Sequence, residues 1–253
     1  MLFHLKNKNS VSYIQRILLK EIGVYVISNK SSLYRSNNNE DFFKINDQSI
    51  EQNRIQDNQP YKIESNTFDI LKNVVNNCKL CDLCHYRKNV VFGSGNISEG
   101  SCLIIGEAPG EQEDATGIPF VGRAGKLLDQ MLNAIEIHRD RETFITNIVK
   151  CRPPANRNPK IEELELCRPF LLEQIDFLKP NKILLLGKFS ANAVLNNSLS
   201  IRELRGKVHY FSTGNQSNDI PVVVSYHPAY LLRKPEEKYL VWDDLCLLKS
   251  ICN

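Results

Sequence analysis

The chain has 253 residues, of which 42% are hydrophobic and 24% charged, and a formal net charge of +3. That is enough for one sizeable α/β domain, or a smaller domain with an appendage. The mildly basic balance permits an anionic partner without specifying one, so a nucleic-acid reading has to rest on local patches. No apolar run approaches the roughly 20 residues needed to span a bilayer, and no secretory leader pattern opens the chain. The eight cysteines are therefore expected to be reduced, buried or metal-bound rather than paired as disulfides, in a reducing cytoplasm.

In chain order, Val11–Leu19 has a helical pattern and runs into a β-like stretch at Gly23–Ile27. From Ser28 to about Ser65 the chain is rich in Asn, Ser, Gln and charge, with too little apolar surface to offset its ordering entropy. Residues 1–66 are thus expected to form an N-terminal extension, partly helical and then a linker or disordered arm, whose helix docks on the main domain or on a protein partner. Residues 67–253 form the second expected domain.

There a helix is predicted over Phe68–Asn76. Four apolar runs follow, at Cys102–Ile105, Phe144–Val149, Lys182–Leu186 and Pro221–Ser225. Continuous runs of this kind suit strands buried on both faces of a parallel sheet. Helices are predicted over Gly125–Ile137, Lys160–Leu178, Ser190–Leu195 and Glu236–Ile251, with Pro169 kinking or splitting the second. The alternation implies an α/β fold, a three-layer α/β/α sandwich around a four-stranded, mostly parallel sheet. Ligands of such sheets bind at the carboxyl ends of the strands. Those ends carry Gly106-Glu107-Ala108-Pro109-Gly110, Asn147 leading to Cys151-Arg152-Pro153, Gly187-Lys188, and His227-Pro228.

Three constellations carry chemistry. Cys78 and Cys81 form a C-x-x-C pair, and with Cys151 and Cys167 they suggest one metal centre joining distant parts of the domain. A C-x-x-C pair alone also serves redox sites, and the thiolate set suits zinc as well as iron–sulfur. The segment from Gly106 to Gly125 reads either as a glycine- and proline-rich ligand loop or as a solvated acidic turn. Within it Phe120 is a stacking platform or a core residue. In Tyr226-His227-Pro228-Ala229-Tyr230-Leu231-Leu232-Arg233-Lys234, apolar wedges stand beside cations, as in proteins that push into a base stack while holding phosphates. An ordinary capped amphipathic helix would have the same pattern.

Together these motifs resemble the family 4, iron–sulfur branch of the uracil-DNA glycosylase superfamily, over roughly Cys78 to Cys246. The matching segments are Cys78-x-x-Cys81 with Arg87 and Val90-Val91-Phe92-Gly93-x-Gly95; Gly106–Gly125; Thr146-Asn147-x-x-Lys150-Cys151-Arg152-Pro153-Pro154-x-Asn156-Arg157; Cys167-x-Pro169-Phe170; Leu186-Gly187-Lys188; and His227-Pro228. The resemblance implies a DNA-repair enzyme that flips deoxyuridine out of DNA, hydrolyses the N-glycosidic bond and leaves an abasic site. It implies a four-iron four-sulfur cluster on Cys78, Cys81, Cys151 and Cys167, with Cys84 as a spare ligand. Cys102, Cys246 and Cys252 are left as plain thiols.

By the same resemblance Phe120 stacks on uracil, Asn147 reads its edge, and Glu113 crowds the position of thymine's methyl, with Gly106 and Ala108 beside the base. His227 stabilises the departing uracil and Glu107 handles the water or the cationic sugar. A better-known branch has an Asp one place after Glu107, where this chain has Ala108. Leu231, Leu232 and Arg233 are expected as wedge and phosphate anchor, and Lys188 as a further phosphate contact. The expected partner is uracil-containing DNA, and the protein is expected to be a monomer.

Three rivals stand beside this reading. A branch that traps the sugar through a histidine in a basic loop conflicts with Cys151–Pro159, which has no histidine. A non-catalytic uracil-DNA-binding or replication-associated module would bind without releasing base. A zinc-stapled hydrolase of small nucleotides would be colourless.

Overall fold

The computed structural model describes residues 67–213 and 219–251. The readings made for the N-terminal extension and for Cys252 lie outside these residues. No described helix is long and apolar enough to cross a membrane.

The described residues fold around one sheet. Strands β1 (Ser94–Gly95), β2 (Cys102–Gly106), β3 (Thr143–Asn147), β4 (Lys182–Leu186), β5 (Val208–Phe211) and β6 (Ile220–Ser225) lie in the order β1-β3-β2-β4-β6-β5. The pairs β2–β3, β2–β4 and β4–β6 are parallel; β1 on β3 and β5 on β6 are antiparallel. The sheet is therefore six-stranded, which corrects the expected four. The four apolar runs are its parallel centre, and every residue of β2, β3 and β4 is buried. The two added strands are edges. β1 is a Ser-Gly pair with no apolar signal, and β5 leaves Tyr210 exposed.

Between the strands run helices α1 (Thr67–Asn76), α2 (Glu111–Thr116), α3 (Arg123–Ala134), α4 (Arg139–Glu142), α5 (Ile161–Leu178), α6 (Lys188–Leu195), α7 (Ile201–Leu204), α8 (Pro228–Leu231) and α9 (Lys238–Ser250). One face of the sheet is covered by a core in which Leu128, Leu132 and Ile135 meet Ile104, Ile145, Leu184, Val223, Leu245 and Leu248. Crossover helices that bury both sheet faces are what a parallel sheet requires.

Pro169 does not split α5, which runs unbroken for 18 residues. The missing N–H forfeits one helix bond. Burial of Phe170, Leu171, Gln174, Ile175 and Leu178 outweighs that loss. The acidic stretch after Gly110 is a helix rather than a turn. It ends at Gly117, whose φ of 74° suits a left-handed C-cap that lacks a side chain. Buried Asp114 fastens it, accepting from the backbone N–H of Lys88 at 2.8 Å.

Candidate active site and cysteine pocket

A cleft of about 460 Å³ opens at the carboxyl ends of the central strands. Glu107 and Ala108 follow β2, Asn147 ends β3, and His227 follows β6; all four line it, together with Glu113, Phe120 and Arg233. Six of the predicted catalytic and base-contacting residues, from five separate segments, therefore meet in one place. Gly106, expected beside the base, does not itself line the cleft but packs against two of these residues. In the sheet register it faces Asn147, and a Cβ at this position would lie 2.3 Å from Asn147 Oδ1 and 2.6 Å from Phe120 Cζ. Gly106→Ala is expected to force both side chains out of place and to lower stability by about 1–3 kcal/mol. A denaturant midpoint equal to wild type would refute the close approach.

Asn147 is almost fully buried, yet its Oδ1 has no hydrogen-bond partner. Such an atom carries a desolvation penalty of about 1–3 kcal/mol until a donor arrives. The Phe120 ring stacks near His227, centroids 5.5 Å apart. Phe120 has a φ of 52°, a strained conformation for a residue with a side chain. The strain is held from two sides. Glu113 Oε1 accepts from the backbone N–H groups of Val121 and Gly122, at 3.0 and 2.9 Å. From the other side Arg139 donates to the carbonyls of Pro119 and Phe120 while paired to Asp129 at 2.7 Å. Gly125 lets the turn close, since a Cβ there would strike the Phe120 carbonyl.

The Nδ1 atom of His227 accepts from the Ala229 backbone N–H at 3.1 Å. That assigns the ring proton to Nε2, leaving a neutral donor for the cleft. Desolvation pushes the His227 pKa down to about 4, and the Arg233 charge adds to the effect. Burial raises the Glu107 pKa above the ordinary carboxylate range. Behind His227, Ser225 donates to Asp244 at 2.8 Å, and Arg205 holds that carboxylate through two bonds. The end of β6 is thus anchored to α9.

Leu231 is buried in the core, which corrects its assignment to a wedge: it cannot reach a partner without unpacking α8. Leu232, the next residue, is exposed, and Arg233 is exposed on the cleft wall. Lys188 stands exposed at the start of α6 and does not line the cleft. The loop Pro153, Asn156, Arg157 and Asn158 does line it, although no role was assigned to it from sequence. Arg157 is fixed there by Glu163 at 2.6 Å, and Asn156 has a φ of 54°.

A second, smaller cavity is lined by Cys78, Cys81, Cys84, Cys151 and Cys167, the four expected ligands and the spare. Cys78 and Cys81 sit between α1 and a 3-10 turn at Asp82–His85, Cys151 after β3, and Cys167 within α5. Among the groups that donate to sulfur are Arg87, to Cys151 Sγ at 3.0 Å, and the Lys150 backbone N–H, to Cys167 Sγ at 3.4 Å. Burial pushes the Cys78, Cys81 and Cys151 thiols up, and Cys167 to about 12. Among the described residues, no three His, Cys, Asp or Glu side chains are grouped as ligands of a single metal ion. Of the remaining thiols, Cys102 is buried and Cys246 exposed.

The profile of the Uracil DNA glycosylase superfamily matches residues 92–246. A type-4 uracil-DNA glycosylase from Pyrobaculum aerophilum is 43% identical over 181 residues, 70% of this chain and 90% of the relative. Those of Archaeoglobus fulgidus and Thermotoga maritima are 37% and 40% identical, over 92% and 93% of their lengths. The match spans the cleft and its strand-end residues together, and nearly the whole of each relative is covered. On that ground the chain belongs to the uracil-DNA glycosylase superfamily, in its type-4 group.

Proposed function

We propose that this protein is a monofunctional uracil-DNA glycosylase, which takes a flipped deoxyuridine into the cleft and hydrolyses its N-glycosidic bond. The observation that carries the reading is the buried, unpartnered Oδ1 of Asn147 in a cleft shared with Phe120, Glu107 and His227. Uracil presents an N3–H donor beside the O4 acceptor. An amide answers both, Oδ1 accepting and Nδ2 donating. Cytosine presents the reverse pattern, and a buried site that leaves such groups unmatched discriminates strongly. Phe120 offers the ring face for stacking. Glu113, fixed by two backbone N–H groups, stands on the cleft wall where it would crowd a C5 methyl.

When the C1′–N1 bond breaks, its electron pair leaves with uracil. His227, neutral and protonated on Nε2, donates a hydrogen bond to the oxygen where that charge gathers. Glu107, as a carboxylate, orients water toward C1′ and takes its proton as the C–O bond forms. Turnover should therefore fall as the pH drops through the raised pKa of Glu107, because the base is lost. His227 stays neutral until about pH 4, so it adds no limb between pH 5 and 8. In Glu107→Gln the acid limb is expected to vanish along with most of the rate. A limb that persisted would assign it to another group.

Arg233 and Lys188 supply phosphate contacts and Leu232 the wedge, so binding should weaken as salt rises. The cysteine pocket fits a four-iron four-sulfur cluster on Cys78, Cys81, Cys151 and Cys167. Five thiols around one cavity, Cys151 buried and the others half-buried, with N–H groups donating to the sulfurs of Cys151 and Cys167, ionise together only beside a cationic group. The cluster would supply a structural staple joining the segment after α1, the loop after β3, and α5. Iron and acid-labile sulfide assays on brown protein test this, and colourless protein carrying one zinc per chain would contradict it. Release of free uracil from a uracil-containing oligonucleotide, with no thymine from a matched control, tests the activity.

A further inference from the structure

The segment from Asn147 to Pro153 threads between the two pockets. Asn147 and Pro153 line the cleft, while Val149, Lys150 and Cys151 line the cysteine cavity. Within it lies a group that neither pocket has yet employed. Lys150 is 1% exposed, and its ammonium donates to Thr146 Oγ1 at 2.7 Å, to the Asn147 carbonyl at 2.6 Å and to Gln174 Oε1 at 2.6 Å. Three donors meet three acceptors, so the charge is fully satisfied.

The same residue is tied on the other side. Its backbone N–H donates to Cys167 Sγ, and its carbonyl accepts from Val91 at 2.8 Å. Gln174 belongs to α5, the helix that carries Cys167, and donates to the Phe92 carbonyl, as Thr146 also does. Burying an ammonium carries a penalty of several kcal/mol, which a methionine of similar length would avoid. What the charge gains is one fixed point for a backbone carbonyl, the one belonging to Asn147.

We propose that Lys150 is a positioning residue that couples the cysteine centre to base reading, by locking the Asn147 peptide against the helix bearing Cys167. This rests on the reading that Asn147 recognises uracil. The Asn147 amide must meet the base edge closely, and a displacement of about 1 Å in a reacting complex reduces rate by about 100-fold. A residue that never touches the base thereby sets how well it is read. The cysteine centre, through Cys167 and α5, supports the recognition geometry as well as the fold.

The test is a double-mutant cycle on cluster-loaded protein, with Lys150→Met, Asn147→Ala and the pair. The readouts are inhibition by free uracil, kcat and KM on uracil DNA, and iron per chain. Lys150→Met is expected to retain iron, to weaken uracil inhibition 10- to 100-fold, and to lower kcat with little change in KM. In the Asn147→Ala background it should add nothing. If Lys150→Met does not fold, the cycle runs with Lys150→Arg, which keeps the charge but not the three-way geometry and should show the same non-additivity with a smaller loss. Additive effects, wild-type uracil inhibition, or iron loss that parallels the loss of activity would each overturn the proposal. If Asn147→Ala alone leaves uracil inhibition unchanged, the base-reading assignment itself is wrong and the positioning role falls with it.

Discussion

Asn147→Ala is expected to lower kcat/KM on uracil DNA by at least about 1,000-fold, while affinity for uracil-free DNA and its salt dependence stay at wild type. The site leaves Asn147 Oδ1 unpaired, so the contact it awaits is made only when the base arrives. A site built to hydrogen-bond its substrate loses up to about 10⁴ to 10⁵ in discrimination when the pairing is removed. Asn147 is the buried amide of the cleft, with both a donor and an acceptor suited to the uracil edge, whereas Asn156 and Asn158 on its rim are exposed. The phosphate contacts proposed for Arg233 are separate from the amide and should survive. Steady-state kinetics with gel-shift titration at two salt concentrations separates the two terms. A loss confined to DNA affinity would show that Asn147 holds the strand rather than the base.

His227→Ala is expected to reduce kcat by about 100- to 1,000-fold, the range seen when one donor to a developing oxyanion is removed. KM should change little, because the bond to uracil strengthens as the glycosidic bond breaks. In the proposed mechanism the histidine works as a neutral donor: Nδ1 is occupied by the Ala229 N–H, and desolvation with the nearby Arg233 charge keeps the ring unprotonated down to about pH 4. Replacement by glutamine, which also carries an N–H donor, should recover part of the rate. Single-turnover rates on the three proteins decide this. A glutamine variant as slow as alanine would favour a role that depends on the imidazole itself.

The centre of the fold was legible because β2, β3, β4 and β6 are apolar on both faces, so continuous runs mark them without any periodicity. Their carboxyl ends then pointed to Glu107, Asn147 and His227. The edges were not legible. Ser94–Gly95 pairs through backbone alone, and an acidic helix such as Glu111–Thr116 presents no apolar stripe. Leu231 and Leu232 illustrate a finer limit: adjacent leucines in a short turn face opposite ways, and only the packing of α8 sends the first inward. Arg139 supports Phe120 from 19 residues away. Lys150 binds across to α5, and no local pattern encodes either contact. Both support the site rather than form its surface, so their signal is tertiary.

The most direct test of the account uses cluster-intact protein and an end-labelled oligonucleotide carrying one uracil, followed by alkali. The account predicts an alkali-dependent break at the uracil and none in a thymine control, as expected for base removal that leaves an intact abasic strand. Salt-sensitive binding with no break would contradict it, leaving a cleft that holds uracil without cutting its glycosidic bond.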